Sequence, residues 1–214
     1  MNTIPSASTR RMAFRAAAIL WCLPGLAALT ARSAEPAKAA CCADCAEEPA
    51  ASAPSSKSIY QVDAVLTDDS GKPARLASLQ GQPVVLAMFF SHCEYACPII
   101  VQDMRRIESA LAKGAKARFA LVSFDSERDT PEVLSAYRKR ANLGAEWTLL
   151  RGNPADIRTI AAVLGVNYVK DSKGQFSHSN LITVLNPSGE IVYQKAGLQG
   201  DISGAARAAS VVVR

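Results

Sequence analysis

Pro83 to Phe90 reads Pro-Val-Val-Leu-Ala-Met-Phe-Phe, a continuous apolar run rich in β-branched and aromatic residues, and Arg118 opens a second run that ends at Phe124. Short runs without polar alternation predict strands buried on both faces. After Pro98, residues Ile99, Ile100, Met104, Ile107 and Leu111 recur at helical spacing with Arg105, Arg106 and Lys113 on the other side. This predicts an amphipathic helix over 98–113, ended near Gly114. Ile59 to Leu66 alternates in part ahead of the turn Asp68-Asp69-Ser70-Gly71-Lys72, as an opening strand would. Asp129 or Thr130 caps a helix entered through Pro131, Trp147 to Leu150 is a short strand, and Asn153-Pro154 starts a helix that runs to about Leu164. Asn180 to Leu185 and Glu190 to Gln194 flank Asn186-Pro187-Ser188-Gly189 as a hairpin, and an Ala-rich helix covers roughly 201–210. Strands alternating with helices and closing on a hairpin predict an α/β sandwich with a central mixed sheet over residues 58–214.

The pattern changes ahead of that domain. Residues 34–57 are Ala, Pro, Ser and Glu with Cys41, Cys42 and Cys45 and almost no large apolar side chain, so they read as a disordered, cysteine-containing tether. Residues 1–33 combine Arg10, Arg11 and Arg15, an apolar stretch from Ala16 to Ala31, and a small-residue exit near Ser33-Ala34, which is a signal peptide for export to the periplasm. An uncleaved leader acting as a membrane anchor is the alternative. The stretch carries Pro24 and Gly25, however, and is shorter than the roughly 20 residues that a spanning helix needs, so a membrane-proximal, non-spanning protein is expected. Thr9 to Phe14 also matches part of a twin-arginine signal.

The formal charge of +5 loses its meaning once it is located. Residues 1–33 hold four arginines and no acid, and removing those four from 24 basic residues leaves 20 against 19 acidic ones. A nearly neutral exported chain without a Lys/Arg stripe gives no case for a nucleic-acid partner. The 49% hydrophobic and 20% charged fractions are those of an ordinary globular protein.

Six cysteines in an exported chain ordinarily mean disulfides, but these are not spread as staples. Cys22 lies in the leader, three are bunched in the tether, and only Cys93 and Cys97 fall in the folded region. In Ser91-His92-Cys93-Glu94-Tyr95-Ala96-Cys97-Pro98 the pair leaves the end of a central strand and enters a helix N-terminus, where unpaired N–H groups and the helix dipole favour thiolate. Both a redox dithiol, with a possible disulfide between Cys93 and Cys97, and a metal site are open at this stage. The chain has two histidines, His92 and His178. His178, placed at the start of the hairpin's first strand, approaches the cysteines, or else merely bonds Ser177 or Ser179, whereas His92 points away. Two thiolates and one imidazole form a soft set that suits a copper ion, and would leave zinc an open fourth position. Where a thioredoxin-type reductase carries a cis-proline facing its cysteines, this chain reads Gln175-Phe176-Ser177-His178. Asp125, at the end of a central strand, is a candidate supporting acid near the cysteines.

Taken in order, Cys93-x-x-x-Cys97-Pro98 after an apolar strand, Asp125-Ser126-Glu127-Arg128-Asp129-Thr130-Pro131-Glu132, and His178-Ser179 before Asn186-Pro187-x-Gly189 resemble the Sco/SenC family over roughly residues 58–197. The resemblance implies a thioredoxin-like fold and copper held by Cys93, Cys97 and His178. It also implies a metallochaperone that delivers copper or electrons to the copper centre of cytochrome c oxidase, or of a related copper enzyme. A thiol-disulfide reductase that keeps the cysteines of an apo copper protein reduced is the alternative, and a redox or metal sensor whose cysteine tail binds a partner is a third reading. Two positions depart from the family pattern: Glu94 follows the first cysteine where Pro is common, and Ser177 precedes the histidine where Asp is common.

Overall fold

A computed structural model describes residues 55–172 and 174–210. In chain order its elements are β1 (Leu66–Asp68), β2 (Pro73–Ala74), β3 (Val84–Phe89), α1 (Ala96–Ser109), β4 (Arg118–Ser123), α2 (Pro131–Arg140) and β5 (Trp147–Gly152). There follow α3 (Pro154–Leu164), β6 (Tyr168–Lys170), β7 (Phe176–His178), β8 (Leu181–Leu185), β9 (Ile191–Ala196) and α4 (Ser203–Ala209). The expected signal peptide with Cys22, most of the expected tether, and Cys41, Cys42 and Cys45 lie outside the described residues.

β3 is the axis of the sheet. All six of its residues are buried, as the unbroken apolar run requires. β4 pairs with it in parallel from Val84↔Arg118 to Phe89↔Ser123, and β8 pairs antiparallel on its other edge. β5 extends the parallel part, β1 and β2 close one side and β9 the other, giving the order β2-β1-β5-β4-β3-β8-β9. This mixed seven-stranded sheet with its helices is the expected α/β sandwich, a thioredoxin-like one. Among the described residues no helix is long and apolar enough to cross a membrane.

Helix α1 starts two residues before the predicted point, because Pro98 in the first turn lacks only an N–H that has no helical partner there. Cys97, Ile100, Met104 and Ile107 lie on its buried face, so the second cysteine belongs to the core stripe of the helix. A buried ion pair joins α1 to β9, with Lys195 Nζ 3.1 Å from Asp103 Oδ2, and Arg106 also donates to Asp103 at 2.9 Å. Taking one partner from such a pair leaves an uncompensated charge in the interior, at a cost on the order of 3–5 kcal/mol.

Two expectations change. Ile59 to Leu66 is not one strand: Ile59–Gln61 is a 3-10 turn whose Tyr60 N–H donates to Ser58 Oγ, and both Ile59 and Tyr60 are buried where alternation would expose one. His178 does not start the hairpin strand. It ends β7, which pairs with β6 as a separate two-stranded sheet, and the closing hairpin begins only at Leu181 in β8. Gly174 at φ +75° turns the chain between β6 and β7, a conformation that favours glycine.

Thr130, one of the two capping residues that the sequence offers, accepts a hydrogen bond from Val133 N–H at 3.3 Å and caps α2. Replacing Thr130 by Ala is expected to remove about 1 kcal/mol of unfolding free energy, read by urea denaturation of the reduced protein.

Candidate metal centre

The short connection from β3 to α1 carries the two cysteines. Phe90 continues the buried strand, Ser91 is buried behind it, and from His92 the chain turns outward until α1 begins at Ala96. Asp129, wholly buried, fixes this departure point: it accepts from Ser91 N–H at 3.0 Å, from Ser91 Oγ, and from Ser123 Oγ at 2.5 Å. The loop after β3 is thereby tied to the end of β4. Sequence reasoning gave Asp129 only a capping role, since the capping pattern before Pro131 fits Asp129 and Thr130 equally well.

At the start of α1, Tyr95 supplies no side-chain cap. The Cys93 sulfur takes that place, accepting the Cys97 N–H at 3.3 Å, with the N–H groups of Tyr95 and Ala96 also turned towards it. A hydrogen bond from the Cys97 thiol and these backbone donors pull the Cys93 thiol down to about 5, against the opposing effect of partial burial. Cys97 is pushed in the other direction, because its proton is held against the Cys93 sulfur and the group is buried. At neutral pH the metal-free pair is therefore one thiolate and one thiol, both free of a disulfide.

His178 arrives from the separate β6–β7 hairpin. Its Nε2 lies 3.9 Å from Cys97 Sγ, and ligand atoms of Cys93, Cys97 and His178 all fall within 4.8 Å of one another. Its Nδ1 lies 3.1 Å from the carbonyl oxygen of Ser179. A carbonyl only accepts, so Nδ1 carries the hydrogen and the neutral ring presents Nε2 as a bare lone pair on the side of the sulfurs. Phe124 packs against the imidazole with ring centroids 5.0 Å apart, and Phe90 meets it edge-on at 6.1 Å. The hydrogen bond to Ser179 and the approach to the cysteines, two readings that the sequence leaves as alternatives, occur together.

The hairpin bearing His178 is held by Arg128, which the sequence did not single out. Its guanidinium pairs with buried Asp125, donates to the carbonyl of Gly174 at 2.6 Å, and lies 6.0 Å from the centroid of the Phe176 ring. Asp125 thus acts on the hairpin through Arg128. Together with His92 and Asp129 it also forms a second cluster of groups within 4.8 Å. Its two carboxylates are already engaged by Arg128, Ser91 and Ser123, so it reads as the support beneath the loop. His92 itself is half exposed, with Nδ1 3.6 Å from Asp129 Oδ1.

Two clefts meet at Cys93. One, of about 430 Å³, runs past Phe90 and Phe176 to His178. The other, of about 550 Å³, follows α1 towards α2 and is lined by Glu94, Pro98, Val101, Arg105, Tyr137 and Arg140. Cys97 has no exposed surface, so a species approaching from solvent meets Cys93 first.

Iodoacetamide should label Cys93 of the reduced, metal-free protein and spare Cys97. Because the Cys93 pKa is lowered, thiolate persists until the pH falls through about 5. The rate should stay flat above about pH 6, where an ordinary thiol of pKa ~8.5 still gains about tenfold per unit. Cys97→Ala removes the donating thiol and should move the inflection upward. Arg128→Ala should speed amide exchange in 168–170 and 176–179 by about tenfold, as read by mass spectrometry, while leaving Cys93 alkylation unchanged.

Comparison with known proteins points the same way. The model of the SCO1/SenC family matches residues 52–212. A Stutzerimonas stutzeri protein named for copper binding is 27% identical over 144 residues, covering 64% of this chain and 69% of that one. The structure of Bradyrhizobium japonicum ScoI with copper bound is 28% identical, with a TM-score of 0.56 over 67% of this chain and 93% of that chain. A structure of BsSco, described as having a disulfide switch and as a member of the Sco family of cytochrome c oxidase assembly proteins, is 25% identical, with a TM-score of 0.60 over 72% and 95% of the two chains. A family match over more than half the sequence, on a fold that brings the two cysteines and the histidine of the family pattern together, means that this chain belongs to the SCO1/SenC family.

Proposed function

We propose that this protein is an exported copper carrier. In this reading Cys93, Cys97 and His178 hold a copper ion as cargo and release it to the copper-containing subunit of cytochrome c oxidase, or of a related copper enzyme, during assembly. The observation that carries it is the convergence of one thiolate, one thiol and one bare imidazole nitrogen within 4.8 Å, at the junction of two open clefts. Two sulfurs satisfy Cu(I), and the imidazole makes Cu(II) acceptable as well. Copper in the named relatives supports the same ion. The basic, apolar leader of residues 1–33 supports export to the periplasm.

Each group has a separate task. Cys93, thiolate and half-buried, makes the first contact, Cys97 closes the chelate from the core side of α1 and gives up its proton to do so, and His178 completes the set from the hairpin. The Ser179 carbonyl keeps the imidazole in the tautomer that can bind, and Asp129 keeps the cysteine loop at the mouth of the sheet.

The asymmetry of the thiols favours a second reading, a reductase acting on the cysteines of an apo copper protein: Cys93 attacks as thiolate and Cys97 resolves the mixed disulfide. The two readings divide on His178. Carriage predicts that His178→Ala loses about a hundredfold or more in Cu(II) affinity, since even a residue that only supports a ligand is worth about 10- to 100-fold, while Cu(I) binding through the two sulfurs falls less. Wild-type Cu(II) affinity in that variant would overturn the three-ligand centre. Full rescue of oxidase assembly by His178→Ala in a strain lacking the protein would select the reductase.

A further inference from the structure

The cleft between α1 and α2 opens at Cys93, but His178 does not line it and copper carriage makes no use of its far end. We propose that it is a binding site for a small anionic disulfide or thiol, whose carboxylates meet Arg105 and Arg140 while its sulfur exchanges with Cys93. This needs Cys93 and Cys97 but neither copper nor His178, so it goes beyond the carrier reading and does not depend on it. It differs from reduction of an apo copper protein in its substrate, a small molecule held along α1.

Size and placement are the first support. Pro98, Val101 and Arg105 follow one another at helical spacing along one side of α1, and all line the cleft. Seven residues at ~1.5 Å each put Arg105 about 10 Å along the helix from Pro98, close to the length of three extended residues. A volume of about 550 Å³ is that of a small-molecule site. Val101 and Tyr137 are buried and give the cleft an apolar wall.

Charge is the second support. Arg105 Nη2 donates to the carbonyls of Ala141 and Asn142, the latter at 3.0 Å, which fixes the guanidinium against the end of α2 and leaves the hydrogens of Nη1 and Nε for a ligand. Arg140 lies over the Tyr137 ring, 5.2 Å from its centroid. Neither guanidinium ion-pairs with an acid among the described residues. Glu94, the one acid lining the cleft, is exposed and follows Cys93 at the opposite end. The cleft thus runs from negative at the sulfur to positive at the arginines, which orients an anionic ligand with its carboxylates away from Cys93.

The thiols supply the third support. Cys93 is half-buried, with its sulfur accepting the Cys97 N–H at 3.3 Å, whereas Cys97 has no exposed surface, so a disulfide in the cleft meets Cys93. The Cys93 sulfur attacks one sulfur of the ligand; a bond between them forms, the original disulfide bond breaks, and one thiolate leaves and takes a proton from solvent. Cys97 then attacks the Cys93 sulfur, gives its proton to the second departing thiolate and closes the Cys93–Cys97 disulfide. Two electrons pass from the cysteine pair to the ligand, which leaves as two thiols, and two such thiols drive the reverse reaction.

The test uses the full chain, reduced and metal-free, with adducts located by peptide mass spectrometry so that exchange at Cys93 is read apart from that at other cysteines. The probes are oxidised glutathione, which is anionic, and hydroxyethyl disulfide, which is neutral. In a Cys97→Ser background the mixed disulfide cannot pass to Cys97, and the ratio of the two initial rates measures the preference for the anionic probe. Arg140→Gln should lower that ratio about tenfold, as loss of a charged hydrogen bond does, and Arg105→Gln should move it in the same direction. Lys139→Gln, which removes the same charge from α2 outside the cleft, should leave it unchanged. As a readout of binding without exchange, S-methylglutathione should slow iodoacetamide labelling of Cys93 in the wild type in a saturable way, and about tenfold more weakly in Arg140→Gln. An unchanged ratio in Arg140→Gln, an equal fall in Lys139→Gln, or no protection of the wild type by S-methylglutathione overturns the site. No arm contains copper, so each of these results leaves the carrier reading to stand or fall on His178→Ala.

Discussion

The N-terminus of an α-helix leaves backbone N–H groups without helical partners, and here a sulfur meets them. Cys93 lies where a capping side chain would sit, and the donors of α1 that stabilise the loop also stabilise the Cys93 thiolate. The fold and its chemistry therefore share one set of hydrogen bonds. Cys97 follows from the same placement: four residues on, it faces the core, where its hydrogen bond to the Cys93 sulfur and its burial keep its proton in place. Two side chains of the same type become a thiolate and a held thiol because only one lies on the solvent side of the helix start.

The centre is assembled from parts with different anchorage. The cysteine loop is bound into the main sheet, with Asp129 tying Ser91 to Ser123 beneath it. The imidazole comes from a two-stranded hairpin outside that sheet, fastened by aromatic contacts among Phe90, Phe124, Tyr168 and Phe176 and by Arg128. Buried strands resist opening more than a short peripheral hairpin does. Opening at the hairpin would therefore move the imidazole of His178 while leaving the cysteine loop intact.

Elements with a single competing structure were legible in the chain. β3 has no polar residue to suggest anything but a fully buried strand, and Asn153-Pro154 and Thr130-Pro131 mark helix starts that the structure reproduces. The cysteine pair was legible because a strand followed by Cys, three residues and Cys-Pro fixes where both thiols must lie. The sequence places His178 at the start of the closing hairpin, whereas it ends β7. Tyr168-Val169-Lys170 and Phe176-Ser177-His178 are three-residue strands, too short for alternation to register, and the signal that would have found them is Gly174, whose N–H donates to the Asp171 carbonyl at 3.1 Å between them. Arg128 and Asp129 escaped for a different reason. Their roles exist only after the end of β4, the loop after β3 and the hairpin have come together, and no local pattern distinguishes a carboxylate that caps a helix from one buried beneath a neighbouring loop.

The two departures from the family pattern can be weighed against this geometry. Ser177 removes an acid before the histidine, and with it a negative charge that would raise the basicity of the imidazole. It does not leave the ring unoriented, because the Ser179 carbonyl receives Nδ1–H and fixes the same tautomer whatever side chain occupies position 177. Glu94 replaces a proline in a loop whose shape is already set by Ser91 on Asp129 and by the capping sulfur, and its side chain is exposed at the junction of the two clefts. Both substitutions alter charge around the site, while the Asp129 carboxylate, the capping sulfur and the Arg128 and aromatic contacts of the hairpin hold its three donors in position. They should therefore bear on how strongly copper is retained more than on whether the three donors come together.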